Sequence, residues 1–152
     1  MMKRFLILIG IFILGLALAG TALARGTADE AKALVEKAAS FYKANGKENT
    51  LKEVSNPKSQ FVKGDLYVYA YALSDGTTLA HPINPKLIGK NMVAVPDPDG
   101  KLFRKEIWEQ AKTKGTGWVD YKYLNPETKK IEHKTTYLLK VDDLILCCGV
   151  YK

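Results

Sequence analysis

The chain is poor in the residues that build disulfide frameworks and metal sites, since its 152 residues include only two cysteines and two histidines. Cys147 and Cys148 are adjacent, and neighbouring residues on a strand point to opposite faces of a sheet. A disulfide between them would strain the peptide, and no second pair of cysteines or histidines lies at ligand spacing. The pattern favours two small buried side chains over a redox or metal role. It predicts neither a metal nor another cofactor.

The chain also lacks the common catalytic signatures. It contains no G-x-S-x-G turn, no glycine-rich phosphate loop, and neither HExxH nor CxxCH. The neighbouring carboxylates Asp142 and Asp143 fall in a predicted turn, where acidic residues are normally solvated. The sequence accordingly predicts a protein that is not an enzyme.

Positive charge is present but not clustered. The 23 Lys and Arg residues outnumber the 16 Asp and Glu residues, which gives a formal net charge of +7. The lysines are spread singly along the chain, whereas a nucleic-acid surface needs basic residues grouped with aromatic ones. Nucleic acid is therefore not an expected partner. The excess charge fits either solubility or a mild preference for anionic ligands.

Long apolar runs are confined to the N-terminus. A basic start precedes an apolar stretch over residues 5–19 and the small-residue pattern Ala22-Leu23-Ala24, which predicts a secretory signal in residues 1–24. The alternative is an uncleaved membrane anchor, but the run is shorter than the ~20 residues that span a bilayer. No cysteine follows the cleavage point, so a lipid anchor is not expected. Residues 25–152 are expected to form one periplasmic domain with no stable membrane anchor.

The stretch GDLYVYAYALSDGTTLAHP organises the rest of the chain. Tyr67, Tyr69 and Tyr71 alternate there with small aliphatic residues, which is the period of a strand with two different faces. Asp75-Gly76 predicts a type I′ turn, so the chain should reverse into a β-hairpin. A packed core rarely needs three tyrosine hydroxyls in a row, and the aromatic face therefore predicts a polar cavity.

Helices are predicted before and after this hairpin. Thr27 and Glu30 have the spacing of a capping box. Apolar residues then recur at three and four as far as Asn45-Gly46, and a short helical piece should follow. A proline-rich loop after the hairpin is expected to cover a site, and Asp99 is interpreted as the cap of a second helix over residues 102–112.

After the second helix, the side chains again alternate in character every second residue, and this pattern predicts three more strands. They are expected at residues 118–124, 130–140 and 144–151. The order of elements predicts an α+β domain built on a five-stranded antiparallel sheet.

Several of these segments together resemble the single Cache domain, the extracellular sensing module of bacterial chemoreceptors and kinases. They are YVYAYALSDGTTLAHPINPKLIGKN, DPDGK, GWVDYKYLNP, HKTTYLLKV and the terminal CCGVY. The resemblance implies a PAS-like sheet with the long N-terminal helix on one face and a lid loop plus helix over a small-molecule pocket on the other. It also implies a small organic acid or other small metabolite as the ligand. Receptors of this family continue into a second membrane helix and a signalling domain, so a membrane receptor or kinase is an expected partner.

Two functions follow from these features. The first is an exported, sensory, small-molecule-binding protein that captures a small organic anion such as a short carboxylate. The second is a periplasmic accessory protein that docks on a membrane sensor, or on itself, with a vestigial pocket. An anion needs a cationic donor and several hydroxyl or indole donors around it. The candidate ligand-binding residues are Tyr69, Tyr71, His81, Trp118, Tyr121, Lys134 and Tyr137.

Each candidate also has an ordinary structural explanation. Lys134 fits a solvated strand face equally well, and the tyrosines fit a core with hydroxyls at its rim. Trp118 and Tyr121 are three residues apart, so on a regular strand only one of them can face the pocket. His81 precedes a proline and is either a hydrogen-bonded structural residue or, with a near-neutral pKa, a group that senses pH or binds a carboxylate.

Overall fold

The computed structural model describes residues 24–152, so the predicted signal lies almost wholly outside the described residues. The elements are α1 (Ala28–Val54), β1 (Val62–Lys63), β2 (Leu66–Ala72), β3 (Thr78–Ala80), a 3₁₀ turn (Pro85–Leu87), α2 (Phe103–Thr113), β4 (Thr116–Leu124), β5 (Ile131–Val141) and β6 (Leu144–Tyr151). Within residues 24–152, no helix combines the length and the apolar character needed to cross a bilayer.

Helix α1 begins where the capping box predicts. The Thr27 side chain accepts from the Glu30 amide, and the Glu30 carboxylate accepts from the Thr27 amide at 3.0 Å. Gly46, with φ 79° and ψ 173°, breaks the helical backbone, so α1 consists of two helical pieces that meet at a kink. The predicted stop at Asn45-Gly46 and the helical piece after it are confirmed. Small and branched apolar residues on one stripe of α1 are buried against the sheet.

The sheet has six strands, in the order β1-β2-β6-β5-β4, with β3 paired to β2. All pairings are antiparallel, as the sequence predicts. The additional strand is β1, which is only two residues long and too short to show a periodicity. It shares the outer edge of β2 with β3, so β2 is bonded on both sides and lies inside the sheet.

The two faces of β2 differ as its alternation predicts. Leu66, Val68 and Ala70 pack in the core beneath α1. The three tyrosines of β2 face the other way, into a second cluster that contains Phe103 and Ile107 of α2. Helix α1 thus covers one face of the sheet, and α2 with the preceding loop covers the other.

The hairpin turn is not type I′, because that turn requires positive φ at both central residues. Gly76 has φ 78°, but Asp75 is not among the residues of positive φ in the described chain. The Gly76 amide instead donates to the Ala72 carbonyl at 2.9 Å, and the Ala72 amide donates to the Thr77 carbonyl at 2.8 Å, which closes a four-residue loop over residues 73–76. The Asp75 carboxylate accepts from the Thr77 amide at 2.9 Å and fixes the exit of this loop.

The prediction that Asp99 caps the second helix is wrong. The N-cap of α2 is Leu102, which makes no side-chain cap bond. The acid that organises this loop is Asp97. Its carboxylate oxygens accept from the backbone amides of Asp99 at 3.0 Å, Lys101 at 2.8 Å and Lys122 at 2.9 Å. Burial alone would raise the Asp97 pKa, but these amide bonds lower it below its usual value. Asp97 therefore fastens the loop before α2 to the edge strand β4.

Candidate functional site

The face of the sheet opposite α1 carries a row of three buried tyrosines from β2. Neighbouring ring centroids are 6.0 Å apart for Tyr67 and Tyr69, and 5.4 Å apart for Tyr69 and Tyr71. All three side chains lie almost entirely out of solvent. The alternation of β2 places them on one face, and α2 with the loop before it closes the space above them.

Lys134 of β5 is buried at one end of this row, with 1% of its surface exposed. Its Nζ donates to the Tyr67 hydroxyl at 2.8 Å and to the Tyr151 hydroxyl at 3.3 Å. The same atom lies 4.3 Å and 4.5 Å from the centroids of those two rings. Within residues 24–152, no carboxylate forms a salt bridge with Lys134. Hydroxyls and ring faces are thus its only partners in the described chain.

His81, at the end of the hairpin, is buried between the tyrosines and the following loop. Its ring stacks on Tyr69 with an interplanar angle of 19° and a centroid distance of 5.5 Å. Its Nδ1 accepts from the amides of Ile83 at 3.3 Å and Asn84 at 3.0 Å, so the neutral ring carries its proton on Nε2. Burial, and then the nearby cations Lys134 and Arg104, lower the His81 pKa to about 3. The alternative of a near-neutral pKa is therefore wrong for this structure, and His81 is a neutral hydrogen-bond donor at physiological pH.

Tyr121 of β4 faces the same cavity and belongs to a network of hydroxyls. Its ring stacks on Phe103 of α2 at 3.9 Å with an interplanar angle of 6°. Its hydroxyl lies 2.8 Å from Thr136 Oγ1 and 3.2 Å from the Tyr69 hydroxyl. Burial raises the pKa of both tyrosines well above the ordinary value, so both stay protonated and can donate.

Arg104, in the first turn of α2, brings a second cation to the cavity. Its residue surface is 7% exposed, and its Cζ lies 4.3 Å from the Phe103 centroid and 5.8 Å from the Tyr123 centroid. Burial raises the pKa of Tyr71, and the charge of Arg104 opposes this rise. Arg104 therefore stands close to Tyr71, at the far end of the tyrosine row from Lys134.

These side chains enclose a cavity that is nearly closed. The free space at its centre is about 10 Å³, which is the room for about one water molecule. Two wider grooves flank it, one of about 260 Å³ beside Tyr67 and His81 and one of about 270 Å³ beside Arg104. Tyr123, which is half-buried, lines the cavity and both grooves. Leu124, the next residue of β4, also lines both grooves.

The structure brings five of the seven candidate residues together and separates two. Around the cavity lie Tyr69, Tyr71, His81, Tyr121 and Lys134. Trp118 and Tyr137 face the α1 side of the sheet instead, where they pair across β4 and β5 with centroids 5.2 Å apart. Trp118 is 38% exposed. Both are removed from the candidate site, because each is an odd number of residues from a side chain that faces the cavity.

Other cavity residues were not predicted from the sequence as site residues. They are Tyr67, Leu87, Phe103, Arg104 and Tyr123. Tyr67 shares the alternation of Tyr69 and Tyr71, and Tyr123 is two residues from Tyr121, so the same period identifies both. Arg104 has no such signal, since a basic residue beside the apolar stripe of a helix is usually solvated.

The polar groups that line the cavity are hydrogen-bond donors and cations. Cys147, the sulfur nearest the tyrosine row, is fully buried, and burial raises its thiol pKa well above the ordinary value, which leaves no thiolate for attack. Within residues 24–152, no three His, Cys, Asp or Glu side chains gather as a metal site would require. The cavity offers two cations, several hydroxyl donors and one imidazole donor.

The fold matches sensor domains of known structure. A methyl-accepting chemotaxis protein from Vibrio parahaemolyticus superposes with a TM-score of 0.70 at 23% identity, covering 81% of this chain and 86% of that one. A Cache chemosensory domain described for its carboxylic acid recognition superposes with a TM-score of 0.70 at 26% identity, covering 81% of this chain and 91% of that one. These neighbours show that the fold is that of sensor domains of known structure, with a PAS-like sheet.

The sequence matches the family model of single Cache domain 2 over residues 23–152, and the chain belongs to that family. Two relatives are similar in sequence to part of this chain. The methyl-accepting chemotaxis protein McpP of Pseudomonas putida is 35% identical over 75 residues, which are 48% of this chain and 14% of McpP. The sensor histidine kinase MctS of Rhizobium johnstonii is 32% identical over 90 residues, which are 58% of this chain and 19% of MctS. The chain thus spans less than a fifth of each relative's length.

Proposed function

We propose that this domain binds a small organic anion without altering it, with Lys134 as the principal cation. The observation that carries the proposal is the nearly complete burial of Lys134, with no carboxylate within salt-bridge distance in the described chain. A buried ammonium is costly unless an anion or several good acceptors compensate it. A ligand carboxylate would supply that compensation, and the neighbouring tyrosines and His81 would donate to its oxygens.

The cavity as it stands is too small for such a ligand, so binding must open it. The segment over residues 82–101 and the ring of Tyr123 cover the tyrosine row and lie next to the two flanking grooves. Movement of either one would admit a molecule of a few carbon atoms. The carboxylic acid recognition described for a neighbour of 26% identity supports this ligand class.

Calorimetric titration of residues 25–152 with acetate, propionate, pyruvate and lactate, preceded by a thermal-shift screen, tests the proposal. At 100 times its dissociation constant, a ligand adds about 2.7 kcal/mol to the stability of the folded domain. Lys134→Met should weaken binding by about one to two decades, because a charge-assisted hydrogen bond is worth about 1.5–3 kcal/mol. Lys140→Met, at an exposed position near the end of the same strand, is the matched control. No stabilisation by any small anion, or equal effects of the two substitutions, would refute the proposal.

We propose further that the domain acts outside the cytoplasmic membrane. The support is the signal pattern of residues 1–24 and the extracellular or periplasmic placement typical of the family. N-terminal sequencing of the protein from the periplasmic fraction should begin at Arg25. Recovery of the intact N-terminus in the membrane fraction would favour the uncleaved anchor instead.

The proposed macromolecular partner is a membrane receptor or kinase. The support is that the relatives McpP and MctS are a chemoreceptor and a sensor kinase. Affinity purification from solubilised membranes, with and without a ligand found by titration, should recover such a protein. Recovery of no membrane protein under either condition would contradict this partner.

A further inference from the structure

The cavity contains two buried cations, and nothing in the described chain neutralises either one. Lys134 and Arg104 are 1% and 7% exposed. The ion pairs within residues 24–152 use other lysines and Arg25. Residues 1–23 contain no Asp or Glu that could supply an anion.

The acid that shares a groove with Arg104 is already occupied. Asp97 lines the same flanking groove as Arg104, but its two oxygens accept from three backbone amides of its own loop and of β4. Asp97 therefore holds the loop in place, and the guanidinium is left to the Tyr71 hydroxyl and the ring faces of Phe103 and Tyr123.

Two like charges in one poorly hydrated cavity repel each other and are each costly to bury. A ligand with one negative charge would compensate one of these cations, and the other would remain buried without a counter-charge. We infer that the domain selects a dicarboxylate, with one carboxylate on Lys134 and the other on Arg104. This inference rests on the proposed anion-binding function and names its ligand class.

The positions of the two cations fit a short ligand that bridges them. Lys134 Nζ and Arg104 Cζ lie 5.4 Å and 5.8 Å from the centroid of the same ring, Tyr123. The planar guanidinium can hold a carboxylate with two parallel hydrogen bonds, and the lysine can hold the other as a point charge. Rotation of Tyr123 away from the cavity would join the central space to both flanking grooves and would make room for the chain between the two carboxylates.

The test compares acids of equal carbon number that differ in charge. Residues 25–152 are titrated calorimetrically at pH 7.5 and constant ionic strength with malonate against propionate, succinate against butyrate, and glutarate against valerate. Monomethyl succinate serves as a control that keeps the length of succinate with one charge removed. At least one dicarboxylate should bind tenfold or more tightly than its partner, since one charge-assisted bond contributes about 10- to 100-fold.

Arg104→Gln should weaken the preferred dicarboxylate at least tenfold more than its monocarboxylate partner. Lys105→Gln removes an exposed cation from the next position of α2 and controls for net charge. If Arg104→Gln does not fold, Arg104→Lys keeps the charge without the planar fork, and it should retain part of the preference.

The outcomes separate the inference from the function on which it rests. Monocarboxylates that bind as tightly as dicarboxylates in every pair would overturn the inference and leave the proposed function intact. A dicarboxylate preference that survives Arg104→Gln unchanged would overturn the assignment of Arg104. Failure of every acid to bind would overturn both.

Discussion

The buried imidazole of His81 should make the domain lose stability in mild acid. Its pKa is lowered to about 3 in the folded protein from an ordinary value of 6.5, because the ring is buried and two cations face it. Between those values the unfolded chain binds a proton that the folded chain does not. The free energy of unfolding therefore falls as the pH drops from 6.5 toward 3, and the contribution is fully present above 6.5.

The size of the effect follows from the difference between the two pKa values. Each pKa unit corresponds to about 1.36 kcal/mol, so at pH 4.5 the protonation of His81 in the unfolded chain should cost about 2–3 kcal/mol of stability. The geometry supports the sign, because a proton on Nδ1 would break the bonds that it accepts from the amides of Ile83 and Asn84.

The assay is urea unfolding at pH 7.0 and pH 4.5, followed by tryptophan fluorescence. Other acids and bases also titrate in this range, so the quantity of interest is the difference between wild type and His81→Asn, whose amide oxygen can still accept from the two backbone amides. Wild type should lose about 2–3 kcal/mol more than His81→Asn between the two pH values. His133→Gln, which changes the other histidine at an exposed position of β5, should behave as wild type. Equal losses in wild type and His81→Asn would refute the reasoning.

Three further predictions concern the surroundings of the cavity. Gly149→Ala should cost about 1–3 kcal/mol and weaken anion binding, because an added Cβ would meet the buried stem of Lys134 and the Thr136 hydroxyl; combined with Lys134→Ala, which removes that stem, it should cost less in denaturant titrations than the sum of the two single changes. The native protein should resist iodoacetamide while the unfolded protein takes up two equivalents by mass spectrometry, because burial raises both thiol pKa values, that of Cys148 to about 12. Asp97→Ala should lower the unfolding free energy by about 1–3 kcal/mol, and an unchanged melting temperature would contradict its anchoring role.

Local patterns in the sequence are enough to predict most of the fold. The alternation around Tyr69 predicts the hairpin and both of its faces, and the capping box at Thr27 predicts the start of α1. The family and the α+β class are confirmed by the match over residues 23–152 and by the neighbours of known structure. The two-residue strand β1 could not be predicted, because its assignment depends on backbone bonds to β2 and not on any pattern of its own.

The candidate site was harder to predict, because it depends on which faces meet. Lys134 and Tyr137 are three residues apart, so a regular strand must place them on opposite faces, yet both are candidate ligand-binding residues as a cation and a hydroxyl donor. The structure separates them as the alternation requires, with Lys134 at the cavity and Tyr137 in the core beneath α1. Arg104 became a candidate only through tertiary packing, since α2 lies over Tyr71 and carries its guanidinium into the cavity.

Two small residues of β6, Cys147 and Gly149, lie on the face of the sheet that carries the cavity. Tyr69 of β2 lies opposite Cys147 in the sheet register, while Gly149 is paired with Thr136 of β5. With no side chain at Gly149, the stem of Lys134 can cross the strand beneath it, and the space a Cβ would need is already filled by that stem. Large polar side chains from β2, β4 and β5 therefore converge over the middle of β6, where the residues are small. The sheet thus keeps a continuous core on its α1 face, while Lys134 and Arg104 lie over its other face around a central space of about 10 Å³.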